Sequence, residues 1–406
     1  MENTPNDTVD ELALLADTAG ARVAGRLYQR RSSVHPGLFL SKGKIEEARS
    51  LIQEHEAELL ISDEDLSPAQ VRNLESELKV RVIDRSELIL DIFAQRAATR
   101  EARIQVELAQ LRYLLPRLAG MWAHFSRTGG GIGTRGPGET QLEVDRRAVR
   151  HKIAMLEKRL EGVEVERATQ SSRRSREYRV SLVGYTNAGK STLFNGLTGA
   201  DVLAEDKLFA TLDTVTRKVY LEGNLHVLLS DTVGFIRKLP HHLVASFRAT
   251  LREVENADLL VHVVDGSHPS HPDQIAVVDQ VLDELVKNPV PRIVIFNKAD
   301  RLEASEEHRV RMSHPEAILV SALDSADRQR VKARIAEAIR DARTLVRVAC
   351  GQERLPELKQ LTARGETRTQ QFHEGAIWSE LWLDPIDVLG LRRAGFRVEP
   401  VASPAG

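Results

Sequence analysis

The sequence predicts an α/β protein built in four parts, and three observations predict it. Strand-like apolar runs alternate with helical segments up to about Asp84. Two long helical seams follow, one on each side of a glycine-rich stretch. Beyond residue 173 come four short apolar runs, each ending in residue types that bind ligands at strand ends. The parts are expected at 1–85, 86–172, 173–344 and 345–406.

In the first part, ARVAGRLYQ and GLFL read as strands and Lys44–His55 as a helix. ELLIS is a further strand, Pro68–Leu78 a second helix, and VRVID closes a small α/β layer. From Glu87 the period changes. Ile104, Leu108, Leu111 and Leu115 step by four, three and four, the stripe of a long amphipathic helix. Val149, Ile153, Leu156, Leu160 and Val163 form a second stripe, so an antiparallel helical hairpin is expected.

The hairpin tip falls in TGGGIGTRGPGE, residues 128–139, which holds Gly131-x-Gly133-x-x-Gly136. That spacing can mark a dinucleotide loop, but the fingerprint needs a strand immediately before it. Here the preceding residues are helical. The glycines and Pro137 therefore predict a bare turn, with Arg127 and Arg135 as its cations. Residues 145–179 hold 11 Lys or Arg against 6 Asp or Glu, a net of +5. Either a solvated helix face or a surface for polyphosphate fits that count.

The formal net charge of −2 excludes a globally basic nucleic-acid binder, so any polyanion must meet a local patch. With Cys350 the single cysteine, no intrachain disulfide forms. The N-terminus is acidic rather than signal-like, and no apolar run approaches the roughly 20 residues of a spanning helix. A cytoplasmic monomer without a membrane span is expected.

The chemistry sits in the third part. YRVSLV runs into Gly184, Tyr185, Thr186, Asn187, Ala188, Gly189, Lys190, Ser191 and Thr192, a GxxxxGKS loop between a strand and a helix. Glycines let successive N–H groups turn inward around phosphate, Lys190 adds charge at the β- and γ-phosphates, and Ser191 suits Mg²⁺. LHVLLSDTVG ends in Asp231, Thr232, Val233 and Gly234, a carboxylate for the magnesium shell and an amide for the γ-phosphate. VPRIVIFNKAD ends in Asn297, Lys298, Ala299 and Asp300. A carboxylate at Asp300 accepts from guanine N1–H and the N2 amino group, a donor pair that adenine lacks. AILVSAL brings the amides of Ser321, Ala322 and Leu323 toward guanine O6. Between the first two motifs lie candidate switch threonines, Thr211, Thr214 and Thr216, able to complete the Mg²⁺ shell when the γ-phosphate is present.

These motifs, with LFATLD and GGGIGTRGPGETQLEVDRR, resemble the HflX-type GTPases of the Obg-like, translation-associated branch, from roughly Ala21 to Arg343. The resemblance implies a P-loop GTPase domain with an N-terminal α/β domain, a helical hairpin and a small C-terminal α+β segment. It assigns the switch to Phe209, Ala210, Thr211, Leu212 and Asp213, with Thr211 as the magnesium threonine beside Ser191 and Asp231. Lys190, Thr211 and Gly234 are then the catalytic set. It also implies GTP and GDP as ligands and the large ribosomal subunit and its RNA as partner, with splitting or rescue of stalled ribosomes. The hairpin tip would be an RNA contact. Ser41 stands where the family usually has glycine, Thr214 where it has proline, and the tail after Thr344 is not clearly matched.

Phe235 follows Gly234, where many GTPases place a glutamine that orients water. Its ring cannot hydrogen-bond water, so weak intrinsic hydrolysis and activation by a partner are expected. Two other functions fit parts of the chain: a GTP-switched ribosome-assembly factor, and an RNA-remodelling protein with a separate ATP-using N-terminal domain.

Overall fold

The computed structural model describes residues 5–29, 36–122, 137–172, 177–200, 205, 207–222, 225–238, 248–286, 289–362, 365–373 and 375–401. Residues 128–136 of the expected hairpin tip lie outside them, whereas Pro137, Gly138 and Glu139, expected in the turn, open the helix Pro137–Ser172. The chain forms two compact units. The first spans Met1–Glu166 and also takes in Lys207–Leu212 and Lys238–Ala249; the second holds the remainder.

In the first unit, α1 (Pro5–Thr18), α2 (Lys42–His55), β1 (Leu59–Ser62), α3 (Pro68–Leu78), β2 (Arg81–Asp84) and α4 (Arg85–Arg96) precede the long α5 (Arg100–Trp122) and α6 (Pro137–Ser172). Strands β1 and β2 pair in parallel. Helix α3 starts on a full capping box, Ser67 and Gln70 each satisfying the other's backbone N–H, with proline in the first turn. Ser41, the departure from the family pattern, caps α2 by accepting from Lys44 N. Two expectations fail here. Residues 21–29 form no strand, and GLFL is a turn with one isolated bridge residue. Most of 21–29 is exposed, so its alternation has no buried face to serve. Helix α1, which was not expected, instead buries Leu12, Leu15 and Ala16.

Asp84 fixes how the layer meets the hairpin. It is fully buried, caps α4 through Glu87 N, and accepts from Leu66 N, Tyr113 Oη (2.8 Å) and Arg117 Nη2 (2.8 Å). Four donors, one of them the Arg117 cation, offset the cost of burying that charge. The hairpin seam is the expected one: Ile104, Leu108 and Leu156 are its buried core, with Leu111, Ile153 and Leu160 against them. With Leu108, Ile153 and Leu160 as heptad a positions, the ion pairs Glu107–Lys152 and Arg112–Glu157 join g to g and e to e. Parallel coils join g to e, so this pattern belongs to an antiparallel pair. The two inserted segments pack within the same unit. Phe209 sets its ring edge-on to Phe93 at 4.7 Å, and Lys238 bridges Asp63 and Glu64 at 2.6 Å each.

The second unit carries β3 (Tyr178–Val183), α7 (Lys190–Thr198), β4 (Val215–Tyr220), β5 (His226–Asp231), α8 (Arg248–Glu255) from Thr250 on, β6 (Leu259–Asp265), α9 (His271–Leu285), β7 (Arg292–Asn297), α10 (Ala304–Ser313), β8 (Ile318–Leu319) and α11 (Ser325–Asp341). Its six-stranded sheet has the order β4-β5-β3-β6-β7-β8, parallel except for β4. Side chains of α7 and α11 pack with Val180, Leu182, Val261 and Val263 on one face, while Val264 and Phe296 meet Val310 of α10 on the other. Helices on both faces make the central strands continuously apolar, as VSLV and LLVHVV are. Then β9 (Thr344–Cys350), α12 (Leu355–Leu361), β10 (Glu366–His373), β11 (Ala376–Leu383), α13 (Pro385–Arg393) and β12 (Arg397–Pro400) build an antiparallel sheet, β10-β11-β9-β12, with its own core. Arg340 ties it to α11 through a two-pronged pair with Glu366, at 2.9 and 2.8 Å.

One polar residue interrupts β6. His262 is 1% exposed, its Nδ1 has no partner, and burial, helped by Arg292 and Lys190, pushes its pKa down to about 3. The unfolded chain binds this proton below about pH 6.5 and the folded one does not, so acid erodes stability between those values. Between pH 7 and 5, His262→Leu is expected to lose less stability than the parent, by on the order of 1–2 kcal/mol. Urea unfolding of both proteins at the two pH values measures this, and parallel losses would show that His262 does not titrate on unfolding.

Candidate functional site

The carboxyl ends of β3, β5, β7 and β8 converge in one sheet, which brings all four motifs of the second unit to one edge. Strand β3 delivers the glycine loop. Gly184 has φ +151, and a Cβ there would lie 2.1 Å from the Val263 carbonyl oxygen, so β6 passes too close for any side chain. Gly189 caps α7 at φ +89, and its missing Cβ makes room for Asn297 Nδ2. The N–H groups at the start of α7 thus open toward the loop, a geometry suited to phosphate.

Lys190 is buried beneath that loop. Its Nζ donates to Gly184 O (3.1 Å) and Tyr185 O (2.8 Å), and desolvation pulls its pKa down to about 8 against the attraction of Asp231. A polyphosphate would restore the charge that burial penalises. Ser191 Oγ donates to Asp231 Oδ2 at 2.6 Å. This hydroxyl and fully buried carboxylate, side by side at the ends of α7 and β5, are the hard oxygen donors Mg²⁺ takes. Thr232 does not face the site; its hydroxyl donates to Leu182 O. Gly234 is hemmed in by Thr186 and by Lys190 Nζ, both within 3.0 Å of where its Cβ would be. Phe235 is buried, its N–H donating to Gly184 O and its carbonyl accepting from Thr186 N.

The base-side residues divide by role. Asn297 donates to Ala188 O and accepts from Ala322 N, both at 2.9 Å, stapling the phosphate loop to the turn after β8. Lys298, at φ +60, pairs with Asp265 at 2.8 Å. Asp300 then stands exposed in the one-turn helix Ala299–Arg301. The amides of Ser321 and Ala322 are engaged by Asp327 and Asn297 in this structure, so a guanine O6 would compete for Ala322 N–H. Phe209, Ala210, Thr211 and Leu212 lie in the first unit and Asp213 in the second. Asp265 and Asp327 were not picked out from sequence. A carboxylate closing the apolar run LLVHVV was the available signal for Asp265; nothing local marked Asp327.

Family models add three matches: the GTP-binding GTPase N-terminal region at 6–94, its middle region at 96–174, and 50S ribosome-binding GTPase at 179–298. A protein named GTPase HflX from Caldanaerobacter subterraneus is 45% identical over 379 residues, covering 92% of this chain and 87% of its own. The chain belongs to the HflX family of GTPases. The Escherichia coli GTPase HflX is 48% identical over 302 residues, 74% of this chain and 71% of that one. Among solved structures, a GTP-binding protein from Sulfolobus solfataricus in complex with GDP aligns at 25% identity and a TM-score of 0.45, over 82% of this chain and 96% of that one. The HflX assignment makes the chain a GTP-binding, GTP-hydrolysing enzyme with a P-loop fold, as its motifs predicted. No helix of the described residues is long and apolar enough to cross a membrane.

Proposed function

We propose that this HflX-family GTPase acts in the cytoplasm on the large ribosomal subunit, binding it with GTP and separating or rescuing stalled ribosomes. The nucleotide lies on the amides of Gly184–Ser191, with Lys190 at the β- and γ-phosphates and Asp300 reading guanine. Ser191 and Asp231 would hold Mg²⁺, which would offset charge on the phosphates, and the family pattern gives Thr211 as the further ligand of the GTP state. Phe235 carries the proposal. A buried phenyl ring, on a backbone held by two hydrogen bonds, stands directly after Gly234 and has no capacity to orient water. Turnover therefore depends on a group supplied from outside, and the ribosome-binding description of the matching GTPase model names the kind of partner.

Binding should require the GTP state and fall steeply with salt, because RNA phosphates are the expected contact. Co-sedimentation with purified large subunits, using a non-hydrolysable GTP analogue or GDP across a salt series, tests this. The expected result is recovery with the analogue only, lost as salt rises. Equal recovery with GDP, or a flat salt response, would count against the proposal.

A further inference from the structure

Hydrogen bonds join the chain just beyond Gly234 to the phosphate loop, and one of them belongs to a side chain. Two run between backbones: Thr186 N donates to Phe235 O at 2.7 Å, and Phe235 N donates to Gly184 O at 3.1 Å. They make Tyr185 and Phe235 an isolated parallel bridge. Bonds of that kind do not depend on which side chains stand there. A further one does: Arg237 N donates to the Tyr185 hydroxyl at 2.8 Å. Tyr185 is 4% exposed, so packing holds the ring that presents this oxygen.

The place of this bond gives it a task. Gly234 lies tight against the loop: a Cβ there would sit 2.7 Å from Thr186 Cα and 3.0 Å from Lys190 Nζ. Gly234, Phe235 and Ile236 are buried, Arg237 is half-buried and Lys238 is exposed. The Tyr185 bond therefore closes on the last residue before the chain reaches solvent. Without that acceptor the Arg237 N–H turns to water for a partner, and the segment is free to follow it outward. The Arg237 side chain adds only a weaker tie, a pair at 3.3 Å with the half-exposed Asp273 of α9.

We propose that the Tyr185 hydroxyl is a positioning group for Gly234. It holds the chain beyond Gly234 on the phosphate loop, so that the Gly234 N–H stands ready for a γ-phosphate oxygen. It thereby sets part of the preference for GTP over GDP, which has no such oxygen to offer. This rests on the reading of Gly234 as the γ-phosphate amide. In this role the phenol touches neither nucleotide nor water, so hydrolysis still needs its outside group.

The test uses the full chain with Mg²⁺ and either GDP or a non-hydrolysable GTP analogue. Tyr185→Phe removes the oxygen and keeps the ring; Arg237→Ala removes the weaker tie and keeps the N–H. Tyr185→Phe should bind the analogue about 3- to 10-fold more weakly, the scale of one hydrogen bond, with GDP affinity within about twofold of the parent. Arg237→Ala should leave the ratio of the two affinities within about twofold of the parent's. In amide NMR spectra of glycine-labelled protein, the Gly234 signal is assigned by its loss in Gly234→Ala. It should shift with the analogue but not with GDP, and shift less in Tyr185→Phe. A parent without an analogue-specific shift would remove Gly234 from the γ-phosphate, and the proposal with it. A parent that shifts, beside a Tyr185→Phe variant with the parental shift and affinity ratio, would overturn the role of Tyr185 alone. So would equal losses of both nucleotides in Tyr185→Phe, which mark a packing role, or a loss in Arg237→Ala as large as that in Tyr185→Phe.

Discussion

Lys190→Ala should abolish useful GTP hydrolysis, lowering the single-turnover rate on the order of 10²–10³-fold and weakening GTP more than GDP. The ammonium is held under the loop by Gly184 O and Tyr185 O, the place proposed for the β- and γ-phosphates. Lys190 Nζ is among the three heavy atoms nearest to a Cβ built on Gly234, at 3.0 Å. A pH signature separates this role from simple packing. Burial pulls the Lys190 pKa down to about 8 in the nucleotide-free protein. A bound polyphosphate favours the charged form, so above pH 8 binding must take up a proton, and GTP affinity should fall by up to about tenfold per pH unit. Titrating GTP affinity from pH 7 to 9.5 should show that fall in the parent and its absence in Lys190→Ala. A pH-independent parent would mean that the lysine stays charged throughout.

Asp300→Asn should exchange the base preference. In the proposed base site, the Asp300 carboxylate would offer two acceptors to the N1–H and N2 amino donors of guanine. The backbone delivering it is pinned by Asn297 to Ala188 and Ala322 and by Lys298 to Asp265. Asparagine replaces one acceptor with an amino donor, which opposes the guanine N2 amino group but suits the carbonyl that xanthine carries at that carbon. Losing a hydrogen bond to a charged group costs about 1.5–3 kcal/mol, so GTP affinity should drop on the order of 10- to 150-fold. Xanthosine triphosphate affinity should rise while ATP stays a poor ligand. Competition binding of the three nucleotides to parent and variant measures this. An unchanged GTP preference would remove Asp300 from the base site.

The legible features were those set by local chemistry. The GxxxxGKS loop lies between a strand and a helix, as its glycines require, and Pro68–Leu78 is a helix to the residue because its cap is written in Ser67, Pro68 and Gln70. The seams at Leu108 and Leu156 were legible because an a/d stripe repeats over many turns. What was missed depends on distant partners. ARVAGRLYQ has strand composition but gains no neighbour to pair with among the described residues. Helix α1 was masked by its polar first half, although Leu12, Leu15 and Ala16 bury it. Asn297 reads from sequence as a base contact; that it staples the phosphate loop to the last turn follows only from β3, β7 and β8 sharing one sheet.

In the proposed mechanism, Phe235 leaves the hydrolytic site incomplete until the ribosome supplies what it lacks. The most direct measurement is turnover of GTP, with ATP as control, by the full chain with and without purified large ribosomal subunits. Slow GTP turnover alone, a rise of severalfold or more with subunits, and no comparable ATP turnover are predicted. Equal GTP rates with and without subunits would contradict it.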